Sequence, residues 1–124
     1  MRILVCGPRD WTDEEYIYDV LDCLVLPKIK VLISGVADGV DAISCEWANS
    51  HGIPVYPVVA RWRKHGRSAG PIRNSQLLKE GKPDLGFAFR YSGQPITPGT
   101  ADMVKQMRRA GVTVRVVPRL EIDR

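Results

Sequence analysis

Five short apolar runs alternate with segments of helical period, and this constrains the chain more than any other feature. The first run, Arg2-Ile3-Leu4-Val5-Cys6, is continuously apolar instead of alternating, the pattern of a strand covered on both faces. Runs of the same kind cover residues 31–34, 55–59, 85–89 and 112–117. Between the first two, Thr12 and Glu15 have capping-box spacing, and Ile17, Val20, Leu21 and Leu24 share one face of a helix that Pro27 ends. Val40, Ile43 and Trp47 mark a second helix that His51-Gly52 closes. A short third helix passes through Leu77 and Leu78, with Pro71 in its first turn. A fourth begins near Gly99 and buries Met103, Val104, Met107 and Ala110. This rhythm predicts an α/β, doubly wound domain: a five-stranded, mainly parallel sheet of order 3-2-1-4-5 with helices on both faces. Pro57 puts the third strand at an edge. The domain is expected over residues 1–117, followed by a charged tail at 118–124.

In that order the carboxyl ends of the strands bring together three turns, at residues 7–10, 34–41 and 98–102, where a doubly wound sheet binds its ligand. Ser34-Gly35-Val36-Ala37-Asp38-Gly39-Val40-Asp41 joins a buried strand to a helix. Its glycines permit unusual backbone angles and close approach of a ligand. Amides at a helix start, with the dipole behind them, form a natural anion site. The alternative is a turn that needs glycine for geometry alone. The candidate ligand-binding residues are Gly7, Arg9, Ser34, Gly35, Asp38, Gly39, Asp41, Gly70, Arg73, Asn74, Gly99 and Thr100. Phosphate is expected on the amides of residues 35–40 and 99–101, with Arg73 as counter-charge from the third helix. Asp102 suits either a ligand contact or a first-turn acid that complements the helix dipole. Arg9 suits a phosphate contact or a surface ion pair, and Arg90, at the end of the fourth strand, is a weaker candidate.

Composition narrows the classes. With 124 residues the chain suffices for one real core, and 44% hydrophobic with 26% charged residues is not the balance of a disordered chain. No apolar run approaches the roughly 20 residues that span a bilayer, and the apolar start is too short for a signal peptide. A cytoplasmic location without a membrane partner is expected. Cys6, Cys23 and Cys45 are odd in number and lack C-x-x-C spacing, which argues against a disulfide framework or zinc site, and Cys6 reads as a small buried hydrophobe. His51 and His65 form no metal-binding pair, the methionines belong to the core, and no metal or cofactor is called for. A formal net charge of +4 suits an anionic partner, nucleotide or nucleic acid. Arg61, Arg63, Lys64, His65 and Arg67 crowd a long loop read mainly as solvated surface, and Trp47 and Trp62 read as packing residues. Phosphate-loop, G-x-G-x-x-G and G-x-S-x-G signatures are absent.

Three motifs, Ser34 to Asp41, Gly70-Pro71-Ile72-Arg73-Asn74 and Gly99-Thr100-Ala101-Asp102-Met103-Val104, together resemble the signatures of the SLOG superfamily, nearest its YspA-related branch of small, often phage- or bacterium-encoded domains. The resemblance spans most of the chain. It implies a Rossmann-like fold and a nucleotide or nucleotide-derived ligand, bound by a sensor or a processing enzyme. Relatives include lonely-guy type phosphoribohydrolases and the DNA-processing protein that binds single strands. The hydrolases use the arginine of an R-K-x-x-M motif and the glutamate of P-G-G-x-G-T-x-E. Arg73-Asn74-Ser75-Gln76-Leu77 keeps the arginine and replaces the lysine, and Asp102 stands where the glutamate does. The resemblance thus makes Arg73 and Asp102 the catalytic candidates for N-glycosidic cleavage of nucleoside monophosphates. Single-stranded nucleic-acid binding through residues 61–67 is a third reading, and homo-oligomerisation stays open.

Overall fold

The apolar runs become five strands: β1 (Arg2–Cys6), β2 (Val31–Ser34), β3 (Val55–Pro57), β4 (Leu85–Tyr91) and β5 (Thr113–Arg119). In the computed structural model, which describes residues 1–23 and 29–119, they form one sheet of order β3-β2-β1-β4-β5. Every neighbouring pair is parallel, so the sheet predicted to be mainly parallel is wholly so. Ile3 lies opposite Leu32 on one side and Leu85 on the other. β3 stops at Pro57 on the edge, where a residue without an amide proton is tolerated.

The helices are α1 (Glu14–Asp22), α2 (Val40–Ser50), α3 (Trp62–His65), α4 (Ala69–Gly81) and α5 (Pro98–Arg109). Successive strand residues point to opposite faces, and β1 uses both. Ile3 and Val5, with Leu32, Phe87 and Phe89, pack on Ile17 and Leu21 of α1 and Val40, Ile43 and Trp47 of α2. Leu4, with Val31 and Ile33, packs on Leu77 of α4 and Met103 and Met107 of α5. Each such side chain, fully buried, contributes about 1.5–3 kcal/mol of transfer free energy. Two faces covered by apolar helix stripes hold the sheet in register.

Several expected boundaries move. The cap of α1 is Asp13, not Thr12, because Asp13 Oδ1 accepts the Tyr16 amide at 3.2 Å. Residues 62–68 are not a loop: α3 and a 3-10 turn (Gly66–Ser68) lead directly into α4, which runs for 13 residues instead of forming a short helix. Arg73 is therefore one turn inside α4. Ala110 is the exposed C-cap of α5, not part of its buried face. β5 continues through Pro118 and Arg119, taking in the first two residues of the expected tail. Arg119 makes an ion pair with Asp13 at 3.2 Å, which ties the strand end to the start of α1. Leu24, Pro27 and residues 120–124 lie outside the described residues.

The chain winds outward from β1 through β2 to β3, then returns to β4 and β5 on the other side. The turns after β1 and β4 consequently diverge, and a crevice opens at the carboxyl edge between them.

Candidate functional site

A cavity of about 320 Å3 fills that crevice, lined by the end of β1, the turn after β2, the first half of α4 and the start of α5. Its size lies at the lower end of the range for small-molecule sites, roughly 300–1,000 Å3. Leu4, Leu77 and Met103 make its floor apolar, and Arg9, Arg67 and Arg73 bring positive charge to it.

Arg73 is the anchor of the wall. Helical side chains lean toward the helix N-terminus, and from the second turn of α4 its guanidinium reaches back to donate to Gly35 O at 3.1 Å. This contact explains Gly35: a Cβ there would lie 2.2 Å from Arg73 Nη1. Burial lowers the Arg73 pKa, the nearby Asp41 carboxylate opposes that shift, and a guanidinium remains charged throughout.

Asn74 extends the network. Its Oδ1 accepts from Arg73 Nε at 3.0 Å, and its Nδ2 donates to Asp102 Oδ2 at 3.0 Å and to Gly99 O at 3.3 Å. Gln106 donates to the same Asp102 oxygen at 2.8 Å and to Pro71 O at 3.1 Å. Two amide groups, from α4 and from the next turn of α5, thus clamp one oxygen of Asp102 at the cavity wall. For Asp102 Oδ1 no partner is found among the described residues.

The turn at 34–41 spends three of its amides within the protein. Val36 N donates to Ser34 Oγ at 3.0 Å, Ala37 N to Asp41 Oδ2 at 3.2 Å, and Val40 N to Pro8 O at 3.2 Å. Gly39 caps α2 at φ +70°, ψ −126°, and a Cβ on it would lie 2.3 Å from Pro8 O. Its glycine is needed for conformation and for the close approach of the first turn. Asp41 is buried, at 6% exposure. Burial raises its pKa to about 6 against the Ala37 amide bond and the charges of Arg73 and Arg9.

The start of α5 leaves its first amides without a partner among the described residues. Its N-cap, Thr97, makes no side-chain capping bond, as Gly39 makes none for α2, and the Thr97 hydroxyl donates to Thr100 Oγ1 at 2.9 Å. Pro98 at the first helical position has no amide proton, and Ala101 N donates to Thr97 O at 2.8 Å. The Gly99 and Thr100 amides therefore stand uncapped beside the cavity.

Of the residues singled out from sequence, Gly7, Arg9, Gly35, Asp41, Gly70, Arg73, Asn74, Gly99, Thr100 and Asp102 line one cavity. Ser34, Asp38 and Gly39 do not. Ser34 is fully buried and serves the Val36 amide, Asp38 is exposed, and Gly39 serves the backbone. Of the amides on which phosphate is expected, those of Val36, Ala37, Val40 and Ala101 are already bonded within the protein. Arg90 lies away from the cavity and bonds Gln94 O across a turn. Cys6 lines the cavity, and burial pushes its thiol pKa up, which favours the thiol over the thiolate.

Thr97 and Gln106 are not read from sequence as site residues, and Trp62 and Arg67 enter there only through the nucleic-acid reading of residues 61–67. Trp62 is 46% exposed, not core packing, and the Arg9 guanidinium lies over its ring, 4.9 Å from the centroid. Gln106 was legible in principle, one helical turn after Asp102.

A parallel doubly wound sheet with a crevice at its switch point defines a Rossmann-like domain. Residues 1–65 match the YspA, cpYpsA-related SLOG family (YAcAr). Gene 61 protein of Mycobacterium phage D29 is 32% identical over 120 residues, covering 91% of this chain and 93% of that protein. The chain belongs to the YspA, cpYpsA-related SLOG family. Its fold is similar to that of DNA processing protein A (DprA) from Streptococcus pneumoniae, with a TM-score of 0.74 at 15% identity. That likeness covers 98% of this chain and 52% of the larger protein, so the chain spans about half the length of that structure. Family membership supports a nucleotide-related role. No helix among the described residues is long and apolar enough to cross a membrane.

Proposed function

We propose that the chain binds a nucleotide or nucleotide-derived small molecule in the crevice between β1 and β4. The phosphate lies on the uncapped amides of Gly99 and Thr100, with Arg73 as counter-charge. One observation carries the reading: the open amides of α5 and the arginines of three other segments converge on a single cavity of about 320 Å3. Backbone donors at a helix start suit phosphate oxygens, and a nearby guanidinium adds a charge-assisted bond. Calorimetry with nucleoside mono-, di- and cyclic phosphates tests it, with a short single-stranded oligonucleotide in parallel. Arg73→Ala is expected to weaken mononucleotide binding at least about tenfold. Wild-type protein that binds none of the nucleotides overturns the reading. Oligonucleotide binding alone, steeply dependent on salt, points instead to residues 61–67.

A second reading, N-glycosidic cleavage, is favoured by Asp102. Asn74 and Gln106 occupy one of its oxygens, leaving the other to face a developing oxocarbenium ion or to position water. Release of free base from nucleoside monophosphates, abolished in Asp102→Asn while binding persists, is the signature of that chemistry.

A further inference from the structure

We propose that the Arg9–Trp62 pair at the edge of the cavity is the subsite for the aromatic base of the ligand, which makes the ligand a single nucleotide unit. The proposal rests on the nucleotide reading above and deepens it. Tryptophan is among the side chains most buried on average, yet Trp62 leaves nearly half of its surface in solvent while Trp11 and Trp47 are buried. The exposed ring is nevertheless held in place. α3 carries it, its edge lies 3.5 Å from where a Cβ of Gly70 would stand, and Arg9 covers one face. Arg9 makes no ion pair among the described residues, so its charge remains to serve the cavity.

Trp62 and Arg9 line the same cavity as Arg73, Gly99 and Thr100. The wall is thus divided, with backbone donors and a guanidinium at α5 and α4, and planar aromatic and guanidinium surfaces at α3 and the first turn. A nucleotide has the same division into a charged phosphate and a flat, polarisable base. Bases stack on tryptophan rings and on arginine planes without requiring a particular hydrogen-bonding edge. The cavity, small among ligand sites, suits one such unit.

The test titrates the full chain by calorimetry with the four nucleoside 5′-monophosphates and with ribose 5-phosphate, comparing wild type with Trp62→Ala and Trp62→Phe. At least one monophosphate is expected to bind wild type about tenfold or more tighter than ribose 5-phosphate does. Trp62→Ala should bring that nucleotide down to the level of ribose 5-phosphate while leaving the sugar phosphate within about twofold, and Trp62→Phe should retain most of the difference. Quenching of Trp62 emission by the nucleotide, but not by ribose 5-phosphate, supports the same assignment. Equal wild-type affinity for nucleotides and ribose 5-phosphate overturns the base subsite and leaves the phosphate site standing. Unchanged nucleotide affinity in Trp62→Ala also overturns it. If neither class binds, the nucleotide reading falls and the base subsite with it.

Discussion

The turn at 34–41 and the start of α5 are both glycine-bearing entries to a helix at the edge of the same cavity, yet they use their amides differently. In the first, Ser34, Asp41 and Pro8 take up three amides, and Gly39 is pressed against the backbone of residues 8 and 9. In the second, no bond is found for the Gly99 and Thr100 amides among the described residues, and a Cβ on Gly99 would meet nothing within 4 Å. A glycine motif between strand and helix is therefore not an anion site by virtue of its sequence. What decides is whether the protein has already filled its donors.

The contrast is broken or sharpened first by making one substitution in both places. Gly39→Ala forces a side chain into a conformation natural to glycine and against Pro8 O, and is expected to cost on the order of 3 kcal/mol in urea unfolding. Gly99→Ala, in a helical conformation with open space, is expected to be neutral or to stabilise by up to about 1 kcal/mol. Equal losses at both positions would erase the distinction.

The next largest effect is pH-dependent. Asp41 has a folded-state pKa of about 6, raised from 3.8, so the folded protein binds this proton more tightly than the unfolded chain does. Its contribution to stability is present below about pH 4 and is lost as pH rises to about 6. Asp41→Asn keeps an acceptor for the Ala37 amide and removes the buried charge. The stability difference, variant minus wild type, should rise by on the order of 2–3 kcal/mol between pH 4 and pH 7. A flat difference across that range would show that the carboxylate is not strained by burial.

The smallest effect separates structure from binding within the first turn. Gly35→Ala places a methyl group on the Arg73 guanidinium, the far end of a flexible side chain that can move aside. Stability should fall by about 1 kcal/mol or less. Mononucleotide affinity should drop about tenfold, because the counter-charge leaves its seat. A stability loss without a binding loss would mean that Arg73 holds the fold and does not meet the ligand.

Sheet order, helix placement and the region of the crevice were legible because strand burial and helix periodicity are local signals that topology then assembles. β1 shows it best, since five residues and the turn after them identify the central strand. Donor occupancy was not legible in the same way. Whether Val40 N is open depends on Pro8, over thirty residues away, and the exposure of Trp62 depends on α3 folding where charge density suggested a loop. Asp41 was closer to hand, since an acid four residues after Ala37 can reach back and occupy its amide.

Asn74 carries a further consequence. Standing between Arg73 and Asp102, it meets the guanidinium with its oxygen and the carboxylate with its nitrogen. Opposite charges this close in a half-buried wall would otherwise fall together and cancel, and among the described residues they make no direct ion pair. The amide acts as an insulator. It leaves the cation and the anion of this wall separately addressable, so that a bound molecule can meet both at once.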